Sequence, residues 1–110
     1  MAKKARFFKT TTRDGYGDKI FYYPAQSSDD LWNSLRLPPA VQLISIDHLG
    51  WFDVSTGVDE NIEYVRFFAV IEGVDLCFDK GDLGYEYLWQ LFPKKAAEES
   101  DFINNYHGPR

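Results

Sequence analysis

The chain has 110 residues, of which 45% are hydrophobic and 17% aromatic, and its formal net charge is −5. This length predicts a single domain over residues 1–110, and the supply of aromatic side chains for a core excludes a disordered chain. The single cysteine excludes an intramolecular disulfide, while the lack of a long apolar run or a secretory leader predicts a soluble, cytoplasmic protein without membrane contact.

The charge is distributed unevenly along the chain. Residues 1–26 carry a net charge of +4, residues 27–93 carry −9, and residues 94–110 are neutral. Because nucleic-acid affinity depends on neutralising phosphates, the acidic middle segment argues against a nucleic-acid partner. A surface that only keeps the protein in solution is the simplest interpretation of these acids, and a site for a basic protein is the alternative.

The N-terminal segment predicts a β-hairpin. Residues 5–12 and 19–23 are rich in aromatic and β-branched side chains, which favour strands. Residues 13–18 between them contain two glycines and two aspartates, the composition of a turn. Pro24 should end the second strand, since it lacks the amide hydrogen that a strand needs.

A helix should follow this hairpin. Ser27 or Ser28 can cap it, and Leu31 and Leu35 lie on one helical face. We expect the helix to continue as far as Pro38-Pro39, since proline removes a helical hydrogen bond and disfavours helix in the residue before it.

The middle of the chain predicts extended structure. Residues 41–47 have the alternation of a strand, residues 48–50 can turn, and residues 51–54 then form the partner strand. Residues 55–61 are polar, contain a glycine, and are expected to form a loop.

Residues 62–71 carry the strongest strand pattern in the chain. Apolar side chains occupy both of its faces, which predicts a central strand or a strand with one face against another subunit. Because short helices can cover one sheet face only, we expect a two-fold homodimer that buries the other face. A turn at Glu72-Gly73 should lead into a further strand at 74–78.

The last third of the chain fits more than one structure. Residues 83–92 can form a helix or a strand; the position of Asp82 as a potential cap and the apolar spacing favour the helix. Residues 94–106 predict a final helix, followed by a frayed tail.

No established catalytic or cofactor motif is present. Cys77 is flanked by apolar residues in the strand at 74–78, the setting of an unreactive packed thiol. The two histidines, His48 and His107, do not have the spacing of a zinc site, and no phosphate-binding glycine motif occurs. We therefore expect no cofactor and no metal.

Two local features could nevertheless support a site. Asp47 and His48 place a carboxylate beside an imidazole, with Trp51 close by in sequence, an arrangement that can serve acid–base chemistry. A solvent-exposed turn is the simpler interpretation. Arg66 lies among apolar residues in a strand and could anchor an anionic ligand, although pairing with a neighbouring acid explains it equally simply.

A third feature is collective. Rings and acids are concentrated between residues 79 and 89, a mixture typical of protein-binding surfaces. The residues concerned are Asp79, Asp82, Tyr85, Glu86, Tyr87 and Trp89. Core packing explains many of these rings without a partner.

Together these patterns predict an α+β fold in which an antiparallel sheet of five or six strands is covered on one face by two or three helices. The expected function is non-enzymatic binding of another protein, possibly a basic one. The alternative is a small-ligand-binding domain or a simple acid–base enzyme with a pocket near His48 and Arg66.

Overall fold

The computed structural model describes residues 2–59 and 64–92. The strands in this part of the chain are β1 (Ala2–Asp14), β2 (Gly17–Pro24), β3 (Gln42–Asp59), β4 (Tyr64–Ile71) and β5 (Val74–Phe78), and the helices are α1 (Ser28–Ser34) and α2 (Tyr85–Leu91). The strands form one sheet in the order β2-β1-β3-β4-β5, and every neighbouring pair is antiparallel. The predicted antiparallel sheet is confirmed, with five strands in the described residues.

The predicted N-terminal hairpin is confirmed, and both of its strands are longer than expected. Asp14 pairs with Gly17, so only two residues connect β1 to β2. The Asp14 carboxylate accepts a hydrogen bond of 2.7 Å from the amide of Tyr16 and holds this turn. Gly17 has a φ of +119°, a conformation that glycine adopts without strain. β2 ends at Pro24, where the sequence predicts its end.

The second predicted hairpin is wrong, because residues 48–50 do not turn the chain back. They lie inside β3, where the partner on β1 changes register between Gly50 and His48 and leaves Leu49 as an extra residue. Gly50 has a φ of +117°. The glycine therefore supplies a β-bulge, which bends a strand without reversing it.

The loop predicted at residues 55–61 is also wrong for its first five residues. Ser55 to Asp59 continue β3 and pair with residues 64–68 of β4. Pairing with a neighbouring strand satisfies their backbone groups, so the polar side chains do not prevent a strand here. Residues 60–63, which include the first two of the strand predicted at 62–71, lie outside the described residues. β4 lies between β3 and β5, and β3 is the middle strand of the sheet.

α1 begins where the sequence predicts and ends earlier. The Ser27 hydroxyl caps it by accepting a hydrogen bond of 3.1 Å from the amide of Asp30. Leu35 already has extended backbone, three residues before Pro38. The Arg36 guanidinium donates to two carbonyl oxygens at this end of the helix, at 2.7 and 3.0 Å. These bonds satisfy groups that another turn of helix would otherwise have paired.

The helix interpretation of residues 83–92 is confirmed by α2, but the predicted cap is wrong. Gly84, with a φ of +96°, occupies the cap position, and no side chain bonds the first amides. The Asp82 carboxylate instead accepts a hydrogen bond of 2.7 Å from the amide of Asp79 and holds the preceding turn. The helix predicted at residues 94–106 lies outside the described residues.

The larger hydrophobic cluster lies on one face of the sheet, which we call the inner face. Its strand residues are Ala5, Phe7, Val54, Val65, Phe67, Ala69, Ile71 and Phe78, and α2 with its flanking residue contributes Tyr85, Leu88 and Phe92. The Tyr85 and Phe92 rings lie 5.2 and 5.3 Å from the Phe67 ring. A hydrogen bond of 2.7 Å from the Tyr22 hydroxyl to Glu72 joins β2 to the β4–β5 turn, which shows that the sheet curls.

A second, smaller cluster joins α1 to the hairpin. It contains Phe8, Ala25 and Leu31, all nearly inaccessible to solvent. Phe7 and Phe8 are adjacent in β1, and strand alternation directs one ring to each cluster. The described helices therefore contribute buried side chains to two different clusters.

Candidate functional site

The side of β3, β4 and β5 that faces away from the inner face, which we call the outer face, carries exposed apolar side chains. On β4, Phe68 is 39% exposed and Val70 is 60% exposed. Their cross-strand partners on β5 are Cys77 and Asp75, and Ser55 of β3 lies opposite Phe68. Because side chains alternate along a strand, this surface is what remains after β4 has directed its other residues into the core.

A glycine positions the exposed ring. A Cβ atom at Gly57 would lie 2.9 Å from Cε2 of Phe68, so the ring covers the glycine backbone. This close approach is available only because residue 57 has no side chain. Gly57 also pairs with Arg66 across the β3–β4 ladder, so the ring and the guanidinium arise from neighbouring positions of the same face.

One end of the outer face carries an ion pair. Nε of Arg66 lies 2.7 Å from Oδ1 of Asp79, with both side chains partly exposed. The thiol of Cys77 lies 3.7 Å from the same carboxylate oxygen. Partial burial and the negative charge of Asp79 raise the pKa of the Cys77 thiol above its usual value. Since a raised pKa reduces the thiolate fraction at neutral pH, this cysteine lacks the property of a nucleophile.

Among the described residues, carboxylates outnumber basic groups around the exposed side chains of Phe68 and Val70. Asp53 is paired with Lys4 at 3.2 Å, and Asp79 is paired with Arg66. Asp75, directly across from Val70, has no ion-pair partner within residues 2–59 and 64–92. The surface is consequently apolar at its centre and acidic at its border.

A separate groove lies where α2 meets β1 and β3. It has a volume of about 610 Å³, is open to solvent, and is lined by Arg6, Gln26, Ser27, Trp51, Tyr87, Gln90 and Leu91. The Arg6 guanidinium lies 5.2 Å from the centre of the Trp51 ring and donates to the carbonyl oxygen of Gln26 at 2.8 Å. Two of the predicted site residues, Trp51 and Tyr87, therefore lie in one place.

The position of α2 beside this groove follows from the length of β2. β2 ends at Pro24, so the amide of Arg6 is left without a strand partner on that side. The Tyr87 hydroxyl accepts a hydrogen bond of 3.1 Å from this amide. The Lys3 ammonium donates to the carbonyl oxygen of Leu91 at 2.8 Å. α2 thus satisfies the part of the β1 edge that β2 does not reach.

Three of the predicted site residues lie together at the end of the outer face that carries the ion pair. Arg66 binds Asp79, and Asp79 donates its amide hydrogen to the Asp82 carboxylate. Tyr85 is elsewhere, since its ring is buried and its hydroxyl donates to the carbonyl oxygen of Val65 at 2.7 Å. Trp89 stacks on Tyr85, with 6.3 Å between the ring centres. These two rings belong to the core side of α2.

Asp47 and His48 lie in the first half of β3, away from these groups. The His48 ring is 5.2 Å from the Phe8 ring, and Asp47 accepts a hydrogen bond of 3.3 Å from the Ser45 hydroxyl. Among the described residues neither bonds any other predicted site residue, and neither lines the groove. The structure therefore does not bring His48 and Arg66 to one described pocket.

Sequence reasoning predicted that one apolar face of the strand at 62–71 stays exposed within one copy of the chain. It did not name Phe68 or Val70 as site residues, although the alternation of this segment places them on that face. It missed Arg6, because the contact of Arg6 with Trp51 depends on the pairing of β1 with an unbroken β3.

The chain matches no known family model, no curated protein and no solved structure. Within residues 2–59 and 64–92, no helix has the length and apolar character needed to span a membrane. The same residues contain no cluster of three or more histidine, cysteine or carboxylate side chains arranged for a metal ion. Function has to be argued from the surface itself.

Proposed function

We propose that this protein binds a basic segment of another protein through its outer face. The observation that carries the proposal is the exposed pair Phe68 and Val70, bordered by carboxylates on both neighbouring strands. Side chains of this type at the centre of a surface supply binding energy when a partner excludes water from them. The predicted rings of α2 do not contribute to this face, since Tyr87 lines the separate groove and Trp89 stacks on the buried Tyr85.

The charge of the border selects the partner. A basic segment would gain attraction from Asp75, which has no ion-pair partner among residues 2–59 and 64–92, and from the carboxylates of the two ion pairs. An acidic partner or a nucleic acid would be repelled by the same groups. Electrostatic attraction of this kind mainly accelerates association and weakens as salt is added.

Selection from a random peptide display library tests this proposal. We expect enriched peptides to combine Lys or Arg with large apolar residues, and their affinity to fall as salt rises. The Phe68→Ala/Val70→Ala double variant should weaken binding by about tenfold or more. Trp32→Ala is the matched control, because this side chain is 59% exposed on α1 and should leave the affinity unchanged.

Enrichment of acidic peptides would contradict the proposal, as would affinity that is insensitive to the double variant. Asp75→Asn refines the test, since removing one border charge should lower both the affinity and its dependence on salt. A thermal unfolding measurement on each variant confirms that the compared proteins are folded.

Small-ligand binding is the second candidate, and the groove beside α2 is the observation that favours it. Arg6 and Trp51 would hold an anionic or aromatic ligand there. A ligand that binds the folded protein must raise its melting temperature, so a thermal-shift screen separates this candidate from the first. We place it second because the groove is open to solvent, whereas small-ligand pockets enclose most of the surface of their ligands.

Two further sequence-based expectations are retained as proposals. Contacts of Tyr85 and Phe92 with Phe67 support the covering of one sheet face by helices. The single cysteine in a chain of this size supports a cytoplasmic location, where thiols remain reduced. Cell fractionation tests the second of these proposals.

A further inference from the structure

In the part of the chain that the structure describes, β2 is an edge strand whose one strand partner is β1. This edge is unusually apolar, since Ile20 and Phe21 are 50% and 43% exposed among the described residues. Open edges present unpaired backbone groups to other chains, and proteins commonly protect them. We propose that this edge joins a second copy of the chain, so that two β2 strands pair antiparallel about a two-fold axis through Ile20. The interface is independent of the outer face.

The hydrogen bonds between β1 and β2 identify which residues of β2 direct their backbone groups toward the open edge. The amide of Ala25 donates to the carbonyl oxygen of Arg6 at 3.1 Å, so Arg6 and Ala25 occupy a hydrogen-bonding position of the antiparallel ladder. Bonded pairs recur at every second residue of an antiparallel ladder. The backbone groups of Asp18, Ile20 and Tyr22 therefore point away from β1, toward the open edge.

Only one centre for the two-fold axis uses all three of these residues. With the axis at Ile20, Ile20 pairs with its own copy and Asp18 pairs with Tyr22 of the second copy. An axis at Lys19 places two ammonium groups opposite each other. An axis at Phe21 places Asp18 opposite Pro24, which has no amide hydrogen to donate.

The distribution of charge favours the β2 edge over the outer face as the site that binds a second copy of the chain. Along the hairpin, Arg13 is paired with Asp18 at 2.6 Å and Lys19 with Asp14 at 3.3 Å. Positive and negative groups are thus balanced within each copy, and two such edges meet without net repulsion. Two acidic outer faces would repel each other. The homodimer expected from the sequence is accordingly moved from the exposed face of β4 to the edge of β2.

Cysteine cross-linking tests both the contact and its register. In a Cys77→Ser background, Ile20→Cys places two thiols at directly opposed positions, with Cα atoms about 5.5 Å apart, within the range that a disulfide spans. We expect rapid oxidation to a covalent dimer. Lys19→Cys and Phe21→Cys are the matched controls and should cross-link more slowly, since each lies diagonal to its own copy.

Faster cross-linking at residue 19 or 21 than at residue 20 would overturn the proposal, because it would require a different axis. Failure of all three variants to cross-link at near-millimolar concentration would overturn it as well. Circular dichroism of the reduced variants establishes that each is folded before it is oxidised.

Light scattering on the unmodified chain provides the second measurement. The expected mass is twice the 12.8 kDa of one chain, and Ile20→Lys should return it to 12.8 kDa by placing two charges on the axis. Val74→Lys is the control, because Val74 is 43% exposed on the opposite edge strand and should leave the dimer intact. A mass of 12.8 kDa for the unmodified chain at near-millimolar concentration, or a dimer that survives Ile20→Lys, overturns the proposal.

Discussion

Phe67 and Phe68 are neighbours in β4 and differ completely in their surroundings. Phe67 is fully buried, and its ring contacts those of Tyr85 and Phe92. Phe68 is 39% exposed, and its ring lies against the backbone of Gly57. The comparison shows that strand alternation divides one apolar run into a side that stabilises the fold and a side that remains available for binding.

The same division extends across the sheet. On the inner face every β4 side chain from Val65 to Ile71 at alternate positions is at most 8% exposed. On the outer face, apolar side chains are mixed with Asp53, Asp75 and Asp79. A core would rarely contain three carboxylates, since burying a charge costs several kcal/mol even where an ion-pair partner offsets part of that cost. The acids therefore mark the outer face as a surface.

The largest expected effect is the difference in stability between two variants, one that truncates the Phe67 ring and one that truncates the Phe68 ring. Phe67→Ala should lower the free energy of unfolding by about 3–5 kcal/mol, because it removes buried area and leaves a cavity. Phe68→Ala should lower it by less than about 1 kcal/mol, because the ring is partly exposed already. Urea unfolding followed by fluorescence measures both. Equal losses in the two variants would mean that the outer face is buried in solution.

A smaller effect is expected when a single tyrosine hydroxyl is removed, either from the core or from the exposed surface. Tyr85→Phe should cost about 1–2 kcal/mol, because it leaves the buried carbonyl oxygen of Val65 without the hydroxyl donor it has at 2.7 Å. Tyr22→Phe removes an exposed bond to Glu72 and should cost less than about 0.5 kcal/mol. The difference between the two unfolding free energies is the quantity to measure. A larger loss for Tyr22→Phe would contradict the placement of Tyr85 in the core.

The smallest effect concerns the thiol on the outer face. Partial burial and the charge of Asp79 raise the pKa of Cys77, so the thiolate fraction at pH near 8 should be lower than in an unfolded chain. Asp79→Asn removes that charge and releases Arg66, and both changes lower the pKa. Alkylation of Cys77 should then accelerate, by less than about tenfold for so exposed a group.

The pH dependence of alkylation measures this shift directly. Asp75→Asn is the matched control, because Asp75 is two residues from Cys77 on the same strand face but does not contribute to its pKa shift. A rate that responds equally to both substitutions would show that the effect is a general loss of negative charge rather than the contact at Asp79.

Local chemistry was enough to predict several elements. Three features depend on atoms within a few residues of one another. They are the turn composition at residues 13–18, the proline at the end of β2 and the Ser27 cap. Such interactions do not depend on tertiary contacts, so the first hairpin and the start of α1 can be predicted from the local sequence. The strong alternation of residues 62–71 predicted a strand for the same reason.

The wrongly predicted elements and the candidate site depend on contacts between residues that are distant in sequence. Gly50 can reverse a chain or bulge a strand, and pairing with β1 decided for the bulge. The polar segment from Ser55 became a strand because β4 satisfied its backbone. Phe67 rather than Phe68 is buried, and its ring contacts Tyr85 and Phe92, which are distant in sequence. The sequence by itself determined the first hairpin turn, the Ser27 cap and the alternation of residues 62–71. The tertiary structure decided which residues pair across the sheet and which face is buried, because these require contacts that no short segment contains.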